Sequence, residues 1–456
     1  LHSHTHPVTV TPNIDALAAS GTIFDRAYTS VSSCSPSRGA IMSGMPTHQN
    51  GIVGLDQNIG RWNSFDGVKG LPNVLNNQGY KTGILGKYHV GPIDTYNFTY
   101  GLRAPHCWAD IGQDATCAHT DYNSVARNVT NMKLNAREFL SMDPEKPFLL
   151  YVGFGDSHRC GFESAIGSFC ENYGSGKPGQ GTIPDWKPVE FEPADVIVPP
   201  FLPDIPDVRA DLAAMYTSMG RLDTGVGLIL NELKVAGELD NTMIIFFSDN
   251  GMPFPSGKTN LAYEQGQGEP MLVKLPPNMN LSQPPRSSAI VTSLDFLPTI
   301  LDAAGVPLPS TRVRNAEVKY TGTSLLTTVG GGGNNTAPTT AFGSHQFHSI
   351  ALYYPMRSIV NASYRLTHNI AYNSTYGILG DVYGTSTWAK IMGGEVDNWV
   401  YNYDDYKLRP EWQLCDLAKD PLCVTNEATN PAYGGVLSEL QAELLAWRQD
   451  TDDFWL

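Results

Sequence analysis

No apolar run in this 456-residue chain approaches the ~20 residues that a membrane-spanning helix needs. Nothing near the start reads as a signal peptide, and the first residue is Leu1 rather than Met. The chain is therefore expected to be processed or incomplete at its start. Basic residues are scarce: 30 Lys and Arg stand against 45 Asp and Glu, a net charge of −15 with a pI near 5.1. That balance argues against a nucleic-acid partner held on a basic face, and against a long electropositive groove for a polyanion. There is no internal repeat, and the low-complexity stretch 330–335 reads as a linker or loop tip. What is present is ample for a core: 41% of residues are hydrophobic and 16% charged, which implies one large domain and a smaller one.

The cysteines number seven. Cys107 and Cys117, Cys160 and Cys170, and Cys415 and Cys423 are close neighbours, and each pair would close a short loop. Spacing alone does not prove the pairing. Cys34 is left over. N-x-[ST] sequons stand at Asn97, Asn128, Asn280, Asn334, Asn361 and Asn373. With the cysteine pattern they suggest a lysosomal or secreted protein of the secretory pathway.

Helical and extended patterns alternate. Thr11 reads as the cap of a helix with Pro12 in first position, stopped at Gly21. Residues 22–29 read as extended, 36–43 and 71–78 as helices, and 81–85 as a strand. A polar helix over 124–140 leads to a strand over 148–154, and the Gly- and Pro-rich stretch 161–206 to an irregular excursion. A long helix follows over 207–236, then a short apolar strand at 242–247 of the kind buried on both faces of a sheet. Residues 271–275 and 289–291 add strands, and 295–304 a helix interrupted at Pro298. This alternation predicts an α/β fold: a large mixed, mostly parallel sheet flanked by helices, over residues 1–345. Residues 346–456 read as a smaller α+β domain, with an antiparallel sheet including 364–368 and 412–416. An amphipathic helix over 435–448, with Leu437, Leu440, Leu444 and Leu445 on one side, closes it.

Candidate chemistry falls at the ends of the core strands. Cys34-Ser35-Pro36-Ser37-Arg38 sits where an extended run meets a helix start. Free backbone N–H groups and a positive helix end lower a thiol's pKa and attract anions there. A lone Cys would be read as a buried thiol, but Pro36 and Arg38 at fixed offsets ask for more. Asp249-Asn250-Gly251 follows the apolar strand; a carboxylate and an amide oxygen at a strand end suit a hard cation. Lys87 and His89 follow the 81–85 strand, and Asp156 and His158 follow 148–154. Lys258 lies beyond the Asp249 loop. An anionic group needs cations around its oxygens, which Lys87, Lys258 and Arg38 can supply, and His89 and His158 can move protons.

The run from Cys34 to Gly44 resembles the sulfatase signature C-x-P-S-R-x-x-x-[LM]-[ST]-G at every defined position. Further blocks resemble the sulfamidases within that family: His48-Gln49-Asn50-Gly51, residues 86–92, Asp156-Ser157-His158-Arg159-Cys160-Gly161, Ile183-Pro184-Asp185-Trp186, residues 248–261, and Tyr354-Pro355-Met356-Arg357-Ser358. The resemblance implies an alkaline-phosphatase/sulfatase-like fold. It also implies an exo-hydrolase that removes the N-linked sulfate from the non-reducing-end glucosamine of heparan sulfate. Given the acidic net charge, such an enzyme should bind a chain end in a small pocket. A formylglycine-generating enzyme would oxidise Cys34 to formylglycine, whose hydrate supplies the nucleophile. By the same resemblance, one Ca²⁺ is held by Asp249, Asn250 and the residue at 34. Arg38 and Lys87 hold the nucleophile and the sulfate, and Lys258 the sulfate alone. His89 helps to expel sulfate, His158 protonates the leaving nitrogen, and Asp156 orients the substrate site. A homodimer is suggested as well.

One departure stands out. The family's first strand ends in an Asp pair, yet residues 1–10 read Leu-His-Ser-His-Thr-His-Pro-Val-Thr-Val. The expectation is a missing N-terminal strand and a weakly held metal. Two alternatives stand beside the sulfamidase reading: an O-sulfatase of another sulfated glycan, and an inactive sulfatase-like fragment.

Overall fold

The computed structural model describes residues 8–56, 60–107, 109–110, 122–160, 167–329 and 338–456. The expectations for residues 1–7, Cys117 and Asn334 lie outside the described residues.

The longer elements follow in chain order. Helix α1 (Pro12–Ala19) and strand β1 (Thr22–Tyr28) are followed by α2 (Cys34–Ser43), β2 (Lys81–Lys87), α3 (Val129–Ser141) and β3 (Phe148–Gly153). Then come α4 (Pro206–Val235), β4 (Ile244–Phe247), β5 (Met271–Lys274), β6 (Arg286–Thr292) and α5 (Phe296–Ala303). The C-terminal part holds β7 (Thr340–Phe347), β8 (Tyr353–Asn361), β9 (Tyr364–Asn369), α6 (Gly380–Tyr383), β10 (Trp412–Asp416) and α7 (Gly434–Asp450).

The sheet is mixed. Strand β1 runs parallel to β6 and antiparallel to β5, which pairs antiparallel with β4. Strand β2 runs parallel to β3 and to the short strand Ala109–Asp110. Between β3 and β4 lies a cavity of about 810 Å³, lined by Leu149, Tyr151, Val152, Met243, Ile245 and Phe247 among others. The apolar run at 244–247 is therefore half-buried rather than covered on both faces. The C-terminal sheet is an antiparallel meander, β7-β8-β9-β10. Its first strand begins at Thr340, so the sheet starts ahead of residue 346.

Local sequence logic holds in part. Thr11 does not cap α1 with its side chain, which meets Asp15 instead. The carboxylate of Asp223, on α4, accepts from the Asn13 and Ile14 N–H groups at 3.0 and 2.9 Å and does the capping from a distant segment. The Gly-rich middle of α4 marks close crossings. A Cβ on Gly225 would sit 2.5 Å from the Phe154 ring, and one on Gly227 2.3 Å from Asn13. The helix expected over 124–140 is divided into Tyr122–Ala126 and α3, the latter capped by Asn128, whose side chain accepts from Asn131 N–H at 3.1 Å. Pro298 lies in the first turn of α5 and interrupts nothing, because first-turn N–H groups have no helical partner. Among the described residues, 167–205 holds no regular helix or strand, as the Gly and Pro content predicted.

In α7, Leu440, Leu444 and Trp447 pack on Ile359, Leu366 and Leu414, whereas Leu445 faces solvent. Trp447 takes the inward position that periodicity had assigned to Leu445. Near its end, Asp453 accepts from Arg357 at 2.8 and 2.7 Å and from Arg448 at 2.8 Å, with the Asp453 and Arg357 side chains fully buried. Burial alone would raise the Asp453 carboxyl, but the two guanidiniums outweigh it and hold it well below the usual carboxylate range. A depressed carboxylate contributes stability above its unfolded pKa and loses it as pH falls through the folded value. The stability difference between the wild type and Asp453→Asn should thus stay constant from pH 7 to pH 5 and shrink only below about pH 4. A urea-midpoint series over that range checks this.

The Cys160–Cys170 and Cys415–Cys423 disulfides are present, and Cys34 is free and buried. Of the described sequon residues, Asn280 and Asn373 are exposed, while Asn97, Asn128 and Asn361 are half-buried.

Candidate active site

Helix α2 begins at Cys34, two residues earlier than its Pro36 suggested. Pro36 is tolerated there because its missing N–H belongs to the unpaired first turn. The thiol therefore lies at the helix N-terminus, 2% exposed. Thr29 Oγ1 bonds the Asp249 carbonyl at 2.9 Å and lies 3.1 Å from Ser37 Oγ, which ties this helix to the loop after β4.

Cations converge on Cys34. Lys87, the last residue of β2, places Nζ 3.2 Å from Cys34 Sγ. Lys258 reaches in from the loop after β4, with its backbone N–H held by the Met252 carbonyl at 2.8 Å. Burial alone would raise the thiol's pKa. The Lys258 and Lys87 ammoniums, with His158 and His89 beside the sulfur, instead hold it well below its ordinary value. Arg38 does not touch Sγ. It donates to the Lys87 carbonyl at 3.1 Å and the Tyr151 hydroxyl at 3.0 Å, and pairs with Asp249 at 2.9 Å. It thus fixes the backbone that carries Lys87 and joins α2 to the Asp249 loop.

The two histidines differ. His158 Nδ1 lies 2.6 Å from the Arg159 carbonyl, a geometry that assigns the hydrogen to Nδ1 and turns Nε2 to the site. Nε2 lies 3.1 Å from Lys258 Nζ. Burial, then the Lys258 and Lys87 charges, lower the pKa of His158. His89 sits just past β2 with φ 53°, and both of its ring nitrogens are buried with, apart from the nearby Cys34 sulfur, no hydrogen-bond partner among the described residues. Such a group is poised for a partner that arrives with substrate.

The Asp156 side chain is 2% exposed and locked between two buried arginines. Oδ1 accepts from Arg127 Nε at 3.1 Å and Arg221 Nη2 at 2.9 Å, and Oδ2 from Arg221 Nε at 2.7 Å. Arg127 in turn donates to the His158 carbonyl at 2.8 Å. Asp156 is thereby linked through Arg127 to the His158 backbone.

Asp249 and Asn250 stand side by side at the start of the loop after β4. Asn250 Oδ1 is buried without a hydrogen-bond partner among the described residues, an orphaned oxygen that a hard cation would satisfy. The Asp249 carboxylate stands beside it. Among the described residues no three His, Cys, Asp or Glu side chains gather as a metal cluster. The pair fits two oxygens of a calcium shell that takes six to eight.

Three residues near the site have no local signature. Asp381, on α6, places Oδ2 3.6 Å from His158 Nε2 and 3.9 Å from Lys258 Nζ. His348, at the β7–β8 hairpin, lies 2.8 Å from the hydroxyl of Ser33, the residue before Cys34. Glu269 is buried beside Ser248 and Asp249, and burial, then the charge of Asp249, raise its carboxyl well above the usual range. A lone Asp after Gly380 carries no motif, and only the β7–β8 turn brings His348 to Ser33.

The chain is similar to known proteins over nearly its whole length. The chain is 42% identical to human N-sulphoglucosamine sulphohydrolase over 98% of its own length and 86% of that protein. It is 24% identical to the ulvan-active sulfatase of Formosa agariphila over 96% of this chain and 70% of that one. Among solved structures, the 2-O GAG sulfatase BT1596 superposes with a TM-score of 0.65 at 19% identity, covering 99% of this chain and 89% of that one. BT4656, solved with D-glucosamine-2-N,6-O-disulfate as its substrate, gives 0.62 at 20% identity, covering 97% and 93%. The sulfatase family profile matches residues 1–306, across α2, the Lys87 and His158 strand ends and the Asp249 loop. The chain belongs to the sulfatase family.

Proposed function

We propose that this protein hydrolyses the N-linked sulfate of a non-reducing-end glucosamine in heparan sulfate. One observation carries the reading: Cys34, Lys87, His158 and Lys258, from four separate segments, meet around one buried thiol. The likeness to human N-sulphoglucosamine sulphohydrolase along nearly the whole chain supports the choice of substrate.

In this reading a formylglycine-generating enzyme oxidises Cys34, and the hydrated aldehyde supplies the hydroxyl that takes the sulfuryl group. A Ca²⁺ ion at Asp249 and Asn250 would add positive charge beside the sulfuryl oxygens. The remaining work falls to side chains already in place. Lys87 and Lys258 surround the sulfuryl oxygens and stabilise the charge that builds on them as the S–N bond breaks. Both ammoniums are buried, so their fields are weakly screened. Arg38 holds Lys87 and Asp249 in register. His158, in the form that carries a proton on Nε2 as well as on Nδ1, delivers the Nε2 proton to the departing nitrogen, and His89 withdraws one from the position-34 hydroxyl as sulfate leaves. The sequons and disulfides fit a lysosomal or secreted location.

The test is sulfate release from a terminal glucosamine N-sulfate, with a 6-O-sulfated N-acetylglucosamine as control. Release from the first and not the second is expected. Release from the second alone would replace the reading with an O-sulfatase.

A further inference from the structure

The site described so far is built to attract an anion, yet one carboxylate faces it from the C-terminal part. Asp381 belongs to α6, between the meander strands β9 and β10, far in sequence from Cys34. Its Oδ2 is 3.6 Å from His158 Nε2 and 3.9 Å from Lys258 Nζ, and its side chain is 27% exposed. Unlike Asp156 or Asp453, it is neither sealed between arginines nor fully covered. Both contacts are longer than hydrogen bonds, so among the described residues its lone pairs remain free for a donor. A carboxylate here repels a sulfate group, and its presence beside Lys258 calls for a positive or hydrogen-bond-donating part of the substrate.

We propose that Asp381 is a specificity residue that accepts a hydrogen bond from the nitrogen of the sulfamate and pairs with the ammonium left after cleavage. The inference rests on the glucosamine N-sulfate reading. The bridging atom distinguishes the two substrate classes. A sulfamate nitrogen carries a hydrogen and becomes a cation once sulfate has gone. A sulfate ester's bridging oxygen carries none, and would set its lone pairs against the carboxylate. A polar group that is left unpaired by the wrong substrate discriminates far more strongly than a change of shape. Placement beside His158 is what this role needs, because the nitrogen that receives the proton from Nε2 is the one that Asp381 contacts.

The test compares wild type with Asp381→Asn and Asp381→Glu. It measures kcat/KM on a terminal glucosamine N-sulfate and inhibition by glucosamine and by inorganic sulfate. Asp381→Asn should lose about 100-fold or more in kcat/KM, and glucosamine should bind at least about tenfold more weakly because its ammonium has lost its partner. Inhibition by inorganic sulfate should hold or tighten, since a repelling charge has gone. Asp381→Glu should recover part of the loss. Unchanged kcat/KM, or glucosamine and sulfate binding weakened alike, would overturn the inference. A wild type that is inactive on the N-sulfate but active on the O-sulfate would instead remove the substrate reading itself, and this inference with it.

Discussion

Cys34→Ala is expected to abolish sulfate release, by about 10⁴-fold or more, while the protein stays folded. The size of the loss follows from where the residue sits. Lys87, Lys258, His158 and His89 surround one buried atom, and without it they have no nucleophile to hold. No other described cysteine is free to substitute. Some stability should be lost as well, because the buried Lys87 and Lys258 ammoniums lose the sulfur that faces them, while Lys87 stays held by its strand and Arg38 by Tyr151 and Asp249. Activity on the N-sulfate and the thermal midpoint, measured together, separate the two effects. A variant that keeps even a hundredth of wild-type activity would mean that Cys34 is not the nucleophile's source.

Asp156→Ala should destabilise the protein by about 3–5 kcal/mol, a large share of the 5–15 kcal/mol typical of folded domains. Its carboxylate compensates two guanidiniums with side chains 0–1% exposed, Arg221 and Arg127. Some of their N–H groups have other acceptors: Arg221 donates to the Tyr173 and Cys170 carbonyls, and Arg127 to Asn123 and the His158 carbonyl. Those are neutral oxygens, and removal of Asp156 leaves two buried cations without an anion. The urea midpoint should fall sharply, and kcat should fall with it because Arg127 no longer fixes the His158 backbone. A residue that merely bound substrate would behave differently, with a raised KM and an unchanged midpoint. That pattern would contradict the placement of Asp156 between the arginines.

The legible parts of this protein are those whose chemistry is local. Cys34, Pro36 and Arg38 lie within one helical turn, and Lys87 and His89 close one strand, so offsets along the chain carry their meaning. The α/β alternation could be read from the periodicity of the elements, down to the thirty-residue helix α4. Residues that act across the fold left no trace. Asp223 caps α1 from 210 positions away, which is why Thr11 looked like the cap. Asp156 sits between a histidine and a strand end, as an active-site carboxylate would, and only the arrival of Arg127 and Arg221 shows its charge to be consumed internally. Asp381 and His348 reach the site because the C-terminal sheet and its connections pack against the larger sheet. Neither has a partner within a few residues that a pattern could detect.

In the proposed reading, position 34, once oxidised, releases sulfate from a glucosamine nitrogen. The most direct measurement follows sulfate release from a terminal glucosamine N-sulfate in preparations graded in formylglycine content, read by mass spectrometry of the peptide that carries position 34. The account predicts release in proportion to the aldehyde fraction, extrapolating to none in the unmodified protein. Full activity in protein that still carries the Cys34 thiol, or none on the N-sulfate in fully converted protein, would contradict it.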